Sequence, residues 1–256
     1  HPKKNPVIAT AAQLFVDPEF SIKPAYHKAI AGWDVSIKTG AITQENLDEW
    51  ARINTANLIQ QSGITVTPEM KLVLQNAITF AAKWQEDFRQ GGVLDDDFTR
   101  ADGTVTRIEM MGSVRHAPYT VSDGWRGVRL DYTDRELAAF VLIPDDDTEQ
   151  APLTTLRQAV TQLCRPNETM GRVAVELPKF TVTSEKKLFE LFACIGLKTN
   201  TQLKAMTDPP VMLTQAMQQA IIVVDERGTV VSAVTSGGME TGVSFYTEKP
   251  IEIIAN

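Results

Sequence analysis

Cys164 and Cys194 are the two cysteines in 256 residues, too few for a disulfide scaffold, and their isolated positions match no metal-ligand spacing. Both are expected as small core residues, because free cysteine is among the most buried side chains. Histidine is almost as scarce: His1, His27 and His116 are accompanied by no Gly-x-Ser-x-Gly elbow, phosphate loop, dinucleotide fingerprint or zinc pattern. The chain is therefore not expected to be an enzyme, nor to hold a cofactor or a metal. No apolar run reaches the roughly 20 residues of a membrane span, and no charged segment followed by an apolar stretch opens the chain. It begins at His1 rather than Met, so a targeting segment can lie upstream. A basic excess is lacking too. With 25 Lys and Arg against 32 Asp and Glu, the net charge of -7 gives no field for tracking phosphates, and neither nucleic acid nor membrane is expected as a partner.

What is present is ordinary globular composition, 43% hydrophobic and 22% charged, enough to bury a sizeable core. Strand-like segments recur at Val7 to Phe15, Leu72 to Phe80, Ala138 to Ile143, Val173 to Leu177 and Ile221 to Val224. The stretch from Leu72 to Ala82 carries no charge and should lie near the middle of a sheet. Helical periodicity marks Lys186 to Leu197, with Ser184 as cap, Leu188, Leu191, Phe192 and Ile195 as apolar stripe, and Gly196 as stop. A second stripe is Leu153, Leu156, Val160 and Leu163, and a third helix starts at the cap Thr43 and runs through Leu47, Trp50 and Ile53. The acidic runs Asp95 to Asp97 and Asp145 to Asp147 are expected as solvated loops, since neither has the oxygen spacing of an EF-hand. With no repeat and no Pro/Gly-rich linker, this order of elements predicts one interleaved α+β domain.

One segment is odd. After Asp225, Glu226, Arg227 and Gly228 comes a run from Thr229 to Met239 with no charge and no proline. Its β-branched residues favour extended backbone, and its Ser, Ala and Gly residues are small enough to enter a packed layer. Thr229, Val231, Ala233 and Thr235 would share one face, and Val230, Ser232, Val234 and Ser236 the other. Neither face carries a group costly to bury. Read alone, the segment suits a plain hairpin arm.

Several motifs, in a shared order, resemble those of the serpins, the mobile-loop protease-inhibitor family. They are Asn76-Ala77-Ile78-Thr79-Phe80 with Lys83-Trp84 and Phe88, the pair Met110-Met111, Val175-Glu176-Leu177-Pro178-Lys179-Phe180, and Ala220 to Gly228 with Thr229. The resemblance runs from about Val7 to the C-terminus. It implies a serpin fold, with a large central mixed β-sheet, smaller sheets forming a barrel-like core, and surrounding helices. It implies a single domain over 1–256 that lacks the family's leading helices and last barrel strands. Those segments are expected to belong to the same folded unit, as a separate chain or cut away, because a fragment without them would leave apolar faces uncovered.

By the same resemblance, residues 228–250 form a reactive-centre loop, the bait for a serine or cysteine protease. Glu226, Gly228, Thr229, Val231 and Ala233 would be its hinge, with Val231 and Ala233 turning into the sheet. The valines at 230, 231 and 234 are bulkier than the family's alanines, which favours slow insertion and, in the extreme, a non-inhibitory binding or carrier protein. The scissile bond is expected among Gly242, Val243, Ser244, Phe245 and Tyr246. An aromatic residue there would attract chymotrypsin-like or subtilisin-like enzymes. Asn76, Trp84 and Gln218 would mark the place where the sheet opens, Gln218 standing where the family has a histidine and bonding across to Asn76. The family likeness also implies an extracellular or secreted protein.

Overall fold

The computed structural model describes residues 7–88, 92–100, 102–122, 124–133, 136–144, 153–165, 169–198 and 202–240. In chain order the elements are β1 (Val7–Val16), α1 (Pro24–Ile30), β2 (Ser36–Thr39), α2 (Gln44–Asn54), β3 (Leu72–Lys83), β4 (Val93–Thr99), β5 (Val105–Ser122), β6 (Trp125–Asp131), β7 (Ala138–Pro144), α3 (Leu153–Leu163), β8 (Met170–Pro178), β9 (Phe180–Lys187), α4 (Phe189–Cys194), β10 (Met212–Asp225) and β11 (Gly228–Glu240). They form an α+β fold. The large sheet runs β2-β1-β3-β11-β10-β9, with β1 and β2 parallel and every other pair antiparallel. A second sheet runs β4-β5-β6-β7, and β8 joins it through β5.

Strand β3, uncharged from Leu72 to Ala82, lies third of six, between β1 and β11, in keeping with its apolar sequence. Helix α2 begins where Thr43 accepts a hydrogen bond from the Asn46 N–H at 3.2 Å, the N-cap geometry. It buries Leu47 and Ala51 against the sheet, whereas Ile53, expected on the same stripe, is 70% exposed. Under α2 lie two apolar clusters, one of Phe15, Leu47, Ile64, Met70 and Val73, the other of Ala51, Ile59, Ala77 and Val234. The other face of the large sheet carries Ile8, Leu74 and Ile78, all exposed.

Four expectations are corrected. Cys164 and Cys194 are exposed, Cys164 just past the end of α3 and Cys194 at the end of α4. Asp95, Asp96 and Asp97 lie inside β4, which among the described residues pairs with β5 alone, so its side chains meet water as a loop's would. Only the part Phe189–Cys194 of the expected helix is helical. Ser184 belongs to β9, because residues 180–187 pair with β10 in the large sheet and that pairing outweighs a local helical stripe. The supposed bond from Gln218 to Asn76 is not made, because β11 runs between their strands. Asp145 to Asp147 lie outside the described residues.

Candidate functional site

The chain turns at Asp225-Glu226-Arg227-Gly228, and this turn starts β11. Asp225 Oδ1 accepts from the backbone N–H groups of Arg227 at 2.8 Å and Gly228 at 3.0 Å, which brings Gly228 opposite Asp225. From there β11 is no free hairpin arm. It pairs with β10 on one side and, from Gly228 to Met239, with Lys83 to Leu72 of β3 on the other. Both backbone edges of the segment are thereby satisfied, as a buried strand requires. A Cβ on Gly228 would stand 2.1 Å from the Ala82 carbonyl oxygen and 2.9 Å from Lys83 Cα, so only glycine lets the strands approach this closely.

Beside the turn an aromatic cluster clamps the chain. Trp84, 3% exposed, stacks on Tyr132 with ring centroids 4.9 Å apart, and Tyr132 meets Phe80 edge-on at 5.4 Å. The Trp84 indole N–H donates to the Asp225 carbonyl at 3.0 Å, and the backbone N–H groups of Trp84 and Phe88 donate to the carbonyls of Arg227 and Glu226. Burial pushes the Tyr132 phenol's pKa up, a shift that the hydroxyl of Thr229 reduces. Trp84, taken from its motif as a sheet-opening residue, thus holds the turn that leads into β11.

Glu226 bonds across the turn to Lys179, Oε2 to Nζ at 2.9 Å, and Lys179 also reaches Glu109 at 3.4 Å. The Lys179 hydrogen bond holds the Glu226 carboxyl below the usual carboxylate range, and the same bond raises Lys179. A carboxyl whose folded pKa is lowered adds stability above its unfolded pKa, and that stability is lost as pH falls through the folded value. Glu226→Gln is therefore expected to lower the melting temperature slightly at neutral pH and not at all in strong acid. Melting curves across the acid range check this, and an equal loss at every pH would refute it.

The two faces of β11 differ. Val231, Ala233 and Thr235 are half-buried and lie opposite Phe80, Ile78 and Asn76. Thr235 also lies opposite Gln218, so it separates the two residues expected to bond, and Asn76 is exposed. The fully buried face carries Ser232, Val234 and Ser236, each 0% exposed, beneath α2. The buried polar residue of β3 is not Asn76 but its neighbour Gln75, which accepts from Gln13 at 2.8 Å and donates to the Leu47 carbonyl at 3.1 Å. Sequence reading gave Gln75 no role, and treated Ser232 and Ser236 only as small and Val234 only as a bulky valine slowing insertion. The alternation it recognised groups the last three, and the amphipathic α2 was the available sign of which face would be covered. Gly242, Val243, Ser244, Phe245 and Tyr246 lie outside the described residues. The two internal histidines are exposed on separate elements, His27 on α1 and His116 on β5.

Comparison with known proteins agrees with this architecture. The family model described as serpin (serine protease inhibitor) matches residues 1–256. Serpin-Z4 of Arabidopsis thaliana is 25% identical over 91% of this chain and 67% of its own length. Serpin-Z1C of Triticum aestivum is 26% identical over 90% of this chain and 64% of its own length, so the chain spans about two thirds of these relatives. Among solved structures, reactive-loop-cleaved human thyroxine-binding globulin superposes with a TM-score of 0.82 at 17% identity, covering 94% of this chain and 75% of that one. Cleaved kallistatin complexed with heparin gives 0.83 at 18% identity, covering 94% and 76%.

Proposed function

This chain belongs to the serpin family, and from that premise we propose that it is a suicide-substrate inhibitor whose segment 228–250 is the reactive-centre loop. A serine or cysteine protease attacks a peptide carbonyl in this loop and forms an acyl-enzyme. The segment on the N-terminal side of the cut is then free to enter the large sheet, and the protease tethered to it is displaced before deacylation. Insertion of a serpin loop is a standing example of strand addition, in which main-chain bonds supply the affinity and alternate side chains the fit. No residue of the inhibitor is catalytic. Its part is to offer two conformations of one segment.

The observation that carries this reading is β11 itself, uncharged from Gly228 to Met239 and over that length seated between β3 and β10 and hydrogen-bonded to both. Glu226 and Gly228 form the pivot, and Thr229 is the first buried residue beyond it. The cut falls among Gly242 to Tyr246, and Phe245 or Tyr246 suits a chymotrypsin-like or subtilisin-like pocket. Further segments of the same folded unit cover the sheet face where Ile8, Leu74 and Ile78 stand exposed.

Incubation of the complete protein with chymotrypsin-like and subtilisin-like proteases tests the reading. A covalent complex that survives denaturing electrophoresis is expected, together with a released peptide whose mass locates the cut. Clean cleavage without a complex would instead support a binding or carrier protein with a slow loop. Val230 and Val231, bulky at the hinge, favour that second reading. Thyroxine-binding globulin, which by its name binds thyroxine, has a similar fold.

A further inference from the structure

We propose that Ser232 is the residue that sets the register in which the loop segment enters the sheet, by seating its hydroxyl at the C-terminal turn of α2. The inference rests on the insertion reading above and names a positioning residue within it.

The seat is a chain of groups, Ser232 and Thr55 fully buried and Thr79 and Asn54 half-buried. The Thr79 hydroxyl on β3 donates to the Asn54 carbonyl at 3.1 Å, at the last residue of α2. Its single proton is then committed, so its remaining capacity is as an acceptor. Ser232 Oγ lies 3.2 Å from Thr79 Oγ1 and 3.5 Å from the Thr55 carbonyl oxygen. The Ser232 proton therefore goes to Thr79, the shorter contact, and the Thr55 carbonyl lies close behind. The turn that presents these groups is itself fixed. Thr55, 0% exposed, donates its hydroxyl to the Ala51 carbonyl at 2.7 Å and accepts from the Ile59 N–H at 3.1 Å, while Ala56 and Asn57 hold positive φ angles of 50° and 62°. Two residues on, Val234 enters the apolar cluster of Ala51, Ile59 and Ala77.

Polar and apolar seats thus alternate along one face of β11, and only one register satisfies both. A slip of one residue turns Val231 or Ala233 toward α2 and sends the serine to the opposite face. A slip of two keeps the face but puts Val230 or Val234 against Thr79, leaving its acceptor without a donor in a half-buried site, and moves Val234 off its cluster. The turn at Asp225 to Gly228 fixes only the start of the strand, and beyond it a bulge could let the ladder re-pair after a slip of two. The Ser232 hydroxyl opposes that slip.

The test uses the complete protein, uncleaved and after a single cut in its reactive loop, as wild type, Ser232→Ala, Thr79→Val and the double variant. In the cleaved form Ser232→Ala is expected to lower the melting temperature by about 2–4 °C, the loss of one net hydrogen bond in a domain of this size. The double variant should lose less than the sum of the two singles, the mark of a direct contact. The uncleaved form of Ser232→Ala should melt as wild type does, since on the insertion reading its loop stays outside the sheet until it is cut. An unchanged cleaved form, an equal fall in both forms, or strict additivity each overturns the assignment of Ser232. If the wild type itself gains no heat resistance on cleavage, the insertion reading fails first, a result separable from the other three.

Discussion

On the proposed inhibitory mechanism, Val234→Asp is expected to abolish trapping and turn the protein into a plain protease substrate. Val234 is 0% exposed and sits among Ala51, Ile59 and Ala77, with Ala11, Trp50 and Ile221 against the same cluster. None of these side chains is a cation that could pair with a carboxylate. Insertion would have to bury the charge or protonate it, and forcing a carboxyl's pKa up by some 4 units corresponds to about 5 kcal/mol. The loop would still be cut, because its exposed form carries an added aspartate at no cost. On a denaturing gel the covalent complex should vanish while the cleaved product stays, and cleavage should no longer raise the melting temperature. Val234→Ala separates charge from volume: it removes two methyl groups and should leave trapping intact with a moderately less stable cleaved form. Undiminished complex formation by Val234→Asp would mean that this residue is not buried when the protease is held.

Gly228→Val should produce the second largest effect, at the other end of the strand. The new side chain meets the Ala82 carbonyl oxygen, the Ala82 carbonyl carbon and Lys83 Cα, all main-chain atoms of β3 that cannot rotate aside. Strands β3 and β11 must part locally, which costs about 3 kcal/mol at the upper end of ordinary overpacking and lowers the melting point of the cleaved form by roughly 10 °C. The disturbance lies next to Trp84, whose indole donates to Asp225. A red shift in tryptophan emission should therefore accompany the fall. A cleaved variant with wild-type melting and emission would show that the close approach at Gly228 is not needed.

Much of the large sheet was legible because its strands are long and consistent. Leu72 to Ala82 has no charge, and only a covered central strand suits such a run, which is where β3 lies. The helix starting at Thr43 was legible from its cap. What failed did so where pairing partners decide the outcome. Ser184 to Lys187 read as the start of a helix, and β10 settles the matter by pairing with residues 180–187. Asp95 to Asp97 read as a loop because a strand that among the described residues pairs with β5 alone imposes little on the side chains it points into water. At the site, alternation sorted Thr229 to Ser236 into two faces but could not say which one α2 would cover. That answer depends on Leu47 and Ala51, some 180 residues earlier in the chain. Likewise Asn76 carries the motif, while the adjacent Gln75 carries the buried hydrogen bonds, a difference set by one step of the pleat.

Strand β11 begins beside Lys83 and ends beside Leu72, so its first and last residues stand at opposite poles of the large sheet. At about 3.3 Å per residue, its thirteen residues span roughly 40 Å. The pivot at Gly228 is pinned by the Ala82 backbone and by the carboxylate of Asp225, so the whole of that displacement falls on the far end. On the proposed mechanism, cargo fastened beyond Glu240 would be carried the length of the sheet by a motion that leaves the starting point in place.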